Sequence, residues 1–283
     1  MKFSFAPLFT KLTLATSIAS ALVGCDEPNY PTPTPATESS VGQARVLVVN
    51  AAPGSQGVTT LVDNTPFGAV APYLGTAAAT YTAIGAGQRL FLFNDPANIP
   101  ATPSTAPVGT APITSPRTLV SRTAYLGGTN YTTFITNLPT RAYVYPVTAT
   151  SNQGGIQSLT LTDNLAAPTV ANNAKIRFVN LSPSGTYGIF NTLTATSLFS
   201  AAPTRAFQAP SFGTGAATVN FASFTEVAAG TYNLDVRSNA TSQIVGTQLV
   251  GTTFAAGKIY TLYVRGVANS TATPLGISVV THN

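Results

Sequence analysis

The chain has 283 residues, 44% of them hydrophobic and only 7% charged, so it can bury one large core or two ordinary ones but has few ionic groups for its surface. That apolar content argues against a disordered chain. The net charge of +5 comes from scattered single residues such as Arg89, Arg141, Arg237 and Arg265, without the clustered basic footprint that nucleic-acid binding requires.

Two lysines lie in Met1 to Lys11, followed by a short apolar run, Leu12 to Val23. A dozen residues at 1.5 Å rise reach about 18 Å, too short for a bilayer core of about 30 Å, so the run reads as a signal segment and not a spanning helix. It ends at Leu22-Val23-Gly24-Cys25, which resembles the lipobox of bacterial lipoproteins. The resemblance implies a diacylglyceryl group on the Cys25 thiol, cleavage that removes residues 1–24, and acylation of the new amine. Removal of Lys2 and Lys11 would leave 11 bases against 8 acids, a net +3. Cys25 is the only cysteine, so no disulfide or second thiol is available. Two or three acyl chains hold a protein firmly where one does not.

Asp26 and Glu27 follow directly. Acidic residues here resemble a surface-sorting signal of some Gram-negative lipoproteins. In other Gram-negatives an aspartate in this place retains the protein in the inner membrane, and a plain solvated acidic pair is the third reading. Pro28, Pro31, Pro33 and Pro35 then mark residues 25–43 as an extended, unpaired stalk reaching up to about 50 Å. The expected address is the bacterial envelope, at the outer membrane and exposed on the surface.

Beyond the stalk the sequence states one pattern twice. Ala44-Arg45-Val46-Leu47-Val48-Val49-Asn50-Ala51-Ala52-Pro53 is echoed by Ala174-Lys175-Ile176-Arg177-Phe178-Val179-Asn180-Leu181-Ser182-Pro183. Ala86-Gly87 and Ala229-Gly230 each lead into an apolar strand, and Gly128-Thr129-Asn130-Tyr131-Thr132 matches Gly257-Lys258-Ile259-Tyr260-Thr261. Three blocks in the same order predict a duplication, with copies at 44–165 and 174–283. Alternation of period two predicts strands with one buried and one wet face: Tyr260, Leu262 and Val264 against Thr261, Tyr263 and Arg265. The expected fold is all-β, two tandem immunoglobulin-like antiparallel β-sandwiches of seven or eight strands each, although the disulfide and core tryptophan of immunoglobulins are missing. The repeated Val-Asn-x-x-Pro, Ala-Gly and Gly-x-x-Tyr-Thr blocks resemble the bacterial family named domain of unknown function 4397. That family implies a β-sandwich in secreted or surface proteins and brings no activity. An acid in the strand after the proline, common in that family, is matched by Asp63, while the second copy has only Asn191 nearby.

The chemistry-bearing residues are few. His282 is the only histidine and reads as a frayed terminal side chain, and no His/Cys cluster exists for zinc. Of the acids, only Asp63, Asp95, Asp163, Glu226 and Asp235 lie in the folded region. Asp95 and Asp163 read as turn formers and Asp235 as an outward-facing strand residue. A carboxylate pair for hydrolysis would need two of these five to meet. Asn94 to Pro116 carries six prolines and reads as a floppy surface loop, with a functional loop as the alternative. Thr192 to Thr218 carries Phe199, Arg205, Phe207 and Phe212, residue types that either anchor a binding surface or pack the loop onto its own domain.

The expected function is a membrane-anchored, non-catalytic binding or adhesion lipoprotein for a glycan, polymer or envelope protein, without cofactor or metal. Its membrane partner is reached through the acyl chains on Cys25. A passive structural envelope protein is the alternative, and a carboxylate hydrolase the more distant one.

Overall fold

The computed structural model describes residues 42–74, 80–144, 153–199 and 223–283. Cys25, Asp26, Glu27, the proline stalk, Arg205, Phe207 and Phe212 lie outside them. All described residues fall within one compact unit, Val41–Asn283, and are built from strands without a helix among them.

The first copy contains β1 (Gln43–Asn50), β2 (Thr59–Val62), β3 (Thr65–Pro66), β4 (Thr82–Gly85), β5 (Gly87–Asn94), β6 (Leu119–Tyr125), β7 (Asn130–Thr136) and β8 (Gln157–Asp163). They form two four-stranded sheets, β4-β1-β7-β8 and β3-β2-β5-β6. The second copy contains β9 (Asn173–Asn180), β10 (Tyr187–Asn191), β11 (Thr225–Ala228), β12 (Gly230–Ser238), β13 (Leu249–Phe254), β14 (Ile259–Arg265) and β15 (Gly276–Thr281). Its sheets, β11-β9-β14-β15 and β10-β12-β13, repeat the same order.

This order corrects the expectation of purely antiparallel, immunoglobulin-ordered sheets. β1 runs parallel to β7, and β9 parallel to β14. The first strand of each copy sits inside its sheet, whereas the immunoglobulin order puts it at an edge. Parallel neighbours need a long return, which the whole opposite sheet supplies here.

The repeated motifs each have a local job. Asn50 Oδ1 accepts from Ala52 N (3.0 Å) and Asn180 Oδ1 from Ser182 N (3.1 Å), so Val-Asn-x-x-Pro is a strand ended by an Asx turn. In the Gly-x-x-Tyr-Thr block the glycine holds positive φ, 74° at Gly128 and 78° at Gly257. The tyrosine hydroxyl then accepts from the turn before it, Leu126 N to Tyr131 Oη at 2.9 Å and Ala255 N to Tyr260 Oη at 3.0 Å. Asp63 lies in the β2–β3 hairpin, not in a strand. With Asn64 it adopts φ of 48° and 66°, as a type I′ turn requires.

Each copy has its own core drawn from both of its sheets. Ala44, Val46, Phe91, Phe93, Tyr131 and Ile135 belong to one, and Ile176, Phe178, Leu234, Val236, Leu262 and Val264 to the other. A third cluster joins the copies: Leu47, Ala51, Phe134 and Leu161 with Val179, Leu181, Tyr263 and Val280. The expected wet face of β14 is therefore dry, with Thr261 and Tyr263 buried, because the other copy covers it. Burying both faces of β7 and β14 makes them the innermost strands of the unit.

Candidate functional site

The register places like positions of the two copies against one another. Leu47 pairs with Thr132 and Arg177 with Thr261, so Leu47 corresponds to Arg177 and Thr132 to Thr261. Asn130 pairs with Asp163, and Ile259 O accepts from His282 N one step beyond the Tyr260–Thr281 pair, so Asp163 corresponds to His282. Tyr81 and Phe224 each precede the strand residue paired with Val46 and Ile176, and correspond likewise. The rings of Phe134 and Tyr263, also equivalent, meet at 5.6 Å.

Beside this apolar seam lies a closed polar ring. Arg177 Nη2 donates to Asp163 Oδ1, and both side chains are fully buried. Arg177 Nε donates to Thr261 Oγ1 at 2.7 Å, which in turn is 2.7 Å from His282 Nε2. His282 Nδ1 is 2.7 Å from Tyr81 Oη, which donates to Asp163 Oδ2 at 2.7 Å. Thr132 Oγ1 donates to the same carboxylate oxygen at 2.7 Å. Arginine only donates and an ionised carboxylate only accepts. The ring therefore has one consistent direction, Arg177 to Thr261 to His282 to Tyr81 to Asp163, which assigns His282 as the neutral Nδ1–H tautomer. The Phe224 ring covers Arg177 at 4.6 Å and meets His282 edge-on at 5.9 Å.

The electrostatics follow from this closure. Burial pushes the His282 pKa down to about 4; Arg177 adds to the drop, while Asp163 opposes it. Burial, reinforced by Asp163, raises the Tyr81 hydroxyl well above its ordinary value. The ring is thus a neutral imidazole and a neutral phenol between one cation and one anion. Its donors and acceptors are used internally, which suits holding the copies together and leaves no activated nucleophile.

A groove of about 800 Å³ runs alongside. Its walls are Val46–Asn50 of β1, the 67–72 loop, Tyr263 and Val279–Asn283, so both copies contribute. Among the described residues no Asp, Glu, Lys or Arg side chain lines it. The lining offers apolar side chains with the Thr82 and Thr281 hydroxyls and the Asn283 amide; Asn50 also lines it, but its amide is already bonded to Ser55 Oγ, Ala71 O and Ala52 N.

Several expectations are corrected. His282 is 6% exposed and locked at both ring nitrogens, not frayed, because its backbone extends the β14–β15 ladder and Asn283 Oδ1 accepts from Ile259 N. Asp163 is no turn former; Asn164 Oδ1 caps the following turn by accepting from Ala166 N. Asp235 is fully buried although it points away from Leu234 and Val236. Arg237 Nε and Nη2 donate to it at 3.1 and 3.2 Å, and that guanidinium lies over Phe190 at 5.0 Å. The start of the 94–116 loop is tied down, not loose. Buried Asn98 accepts from Ile156 N and exchanges bonds with the Arg117 backbone, and Ala101 N donates to Thr140 O. Asp95 does form its expected turn, accepting from Ala97 N at 3.0 Å. Exposed Asp63 holds half-buried Arg89 at 3.1 Å, and Glu226 gathers Thr169 N, Thr169 Oγ1, Val170 N and Asn173 Nδ2 from the segment joining the copies. Phe199 packs against Phe178 at 5.7 Å, within its own copy.

Tyr81, Thr132, Arg177 and Thr261 carry the ring and were not singled out from the sequence. The available signal was Arg177, a lone charge in Ile176-Arg177-Phe178-Val179 where the first copy has Leu47. Among the described residues no group of three His, Cys, Asp or Glu side chains could hold a metal. No family model matches the chain, and a comparison with curated proteins finds no match.

Proposed function

We propose that this chain is an envelope lipoprotein, tethered through acyl chains on Cys25, whose paired β-sandwich copies form a non-catalytic binding module for an uncharged polymer such as a neutral glycan. The shared groove supports this reading: it has the volume of an ordinary ligand site, and its described lining combines apolar side chains with amide and hydroxyl groups and no Asp, Glu, Lys or Arg. The Leu22-Val23-Gly24-Cys25 sequence supports the tether and the proline-rich stretch supports a stalk.

The test uses the full-length lipidated protein on arrays of neutral and charged envelope glycans. Val70, 57% exposed on the groove wall, is replaced by Glu. Retention of a neutral glycan, weakened at least about tenfold by Val70→Glu with an unchanged melting temperature, supports the groove; each tenfold is about 1.4 kcal/mol. Retention of charged glycans alone, equal binding by the variant, or no retention at all refutes it. Cys25→Ser tests the tether separately, through loss of fatty-acid labelling and release from the membrane fraction.

A further inference from the structure

We infer that the face of the β4-β1-β7-β8 sheet and the face of the β11-β9-β14-β15 sheet form a two-sided recognition surface on which each copy accepts the other and rejects its own kind. The apolar part of the seam does not discriminate. Leu161 and Val280, Phe134 and Tyr263, Ala51 and Leu181 are equivalent pairs of similar character, so either face could lie against itself. Such self-complementarity is the geometry of a symmetric dimer, in which like patches meet.

The discrimination comes from positions where the copies differ. The first copy presents Leu47, Tyr81, Thr132 and Asp163; the second presents Arg177, Phe224, Thr261 and His282 at the corresponding places. A first copy against another first copy would bury two Asp163 carboxylates with no guanidinium between them. A second copy against another second copy would bury two Arg177 cations with only neutral imidazoles nearby. Both arrangements strand charge in a site where the present side chains have no exposure. An uncompensated buried charge costs enough to weaken like pairs by at least about 100-fold. The unlike pair alone closes the ring. Thr132 and Thr261 each bind the charged group of their own copy, Asp163 and Arg177, so only the Arg177–Asp163 contact depends on which copies are paired.

The partner this surface fits is therefore the complementary half, from the same chain or from a second copy of it. The experiment starts from the intact chain carrying a protease site between exposed Ala166 and Ala167, cut after folding. Isotopically light and heavy cut proteins are mixed and observed by native mass spectrometry. The expected species are one-to-one pairs of unlike halves that exchange label, with like pairs below about 1%. Halves that separate on cutting, or like pairs at comparable abundance, overturn the inference. The variant Asp163→Leu/Arg177→Leu removes both charges and should let like pairs appear; their continued absence overturns the role of the charge pair. In urea melts of the uncut chain, the double variant should be more stable than either single variant, and the opposite order also overturns it.

Discussion

Acidification should unlock the seam between the copies through His282. Its folded pKa of about 4 lies below the ordinary 6.5, so the unfolded chain takes up the proton first as pH falls. The stabilisation is complete above pH 6.5, is lost progressively between 6.5 and 4, and is gone below 4. At 1.36 kcal/mol per unit this is about 3 kcal/mol, a large share of a typical folding free energy of about 5–15 kcal/mol. The direction comes from burial of the imidazole, which outweighs the opposing pull of Asp163, and Arg177 adds to the drop. Asp63 and Glu226 enter only at the acid end of the window: both are held below the ordinary carboxylate range, Glu226 at about 2 by the backbone and hydroxyl of Thr169, so their stabilisation is kept above the unfolded carboxylate values of about 4 and lost below them. Urea melts at half-unit steps from pH 7 to 4.5 measure the slope. The midpoint should fall by roughly 1 M for a slope of about 2–3 kcal/mol/M, while His282→Gln should give a nearly flat curve. Parallel curves for wild type and variant would show that His282 is not the titrating group.

Two further outcomes test the packing. Phe134→Ala should cost about 3–5 kcal/mol in urea melts, as a core substitution does, because the second copy buries this face of β7; a loss under about 1 kcal/mol would mean the face is wet. Gly266→Ala should cost at least about 1–3 kcal/mol by calorimetry, since φ is +88° and a Cβ would stand 2.2 Å from Pro274 O; an unchanged melting temperature would refute that close approach.

The strands, the all-β class and the repeated blocks were legible because each depends on neighbours in sequence: period-two alternation, turn glycines, and an Asn or Tyr closing its own turn. The seam was not, because alternation separates the two faces of a strand without saying what covers the second. Thr132 and Thr261 look like solvent-facing residues in any single strand, and only the pairing of β7 and β14 against the opposite copy makes them interior. Long separation hid the ring for the same reason: Tyr81 and His282 are 201 residues apart and meet at 2.7 Å. His282 is terminal in sequence but not in space, because the final strand, β15, pairs with β14 and contributes Val280 to the cluster that joins the copies. The parallel β1–β7 pairing was equally hidden, since neither strand carries a local mark of its neighbour's direction.

The scarcity of charge gives these observations a common meaning. All five carboxylates of the folded region have partners within the chain: Asp63 in a hairpin, Asp95 in a loop turn, Asp163 in the ring, Glu226 on the joining segment and Asp235 with Arg237. Among the described residues that line the large groove there is no Asp or Glu carboxylate. Asp95 Oδ2 is the one buried carboxylate oxygen among the described residues without a hydrogen bond, and it borders a separate crevice of about 300 Å³ with Arg117 and no second acid. These five carboxylates therefore help register the chain's own parts, and the described lining of the large groove presents methyl, amide and hydroxyl surface. Under the proposed function, affinity for a neutral polymer would arise from shape and many weak hydrogen bonds and would change little with salt, because screening acts on charges and the described lining carries no Asp, Glu, Lys or Arg.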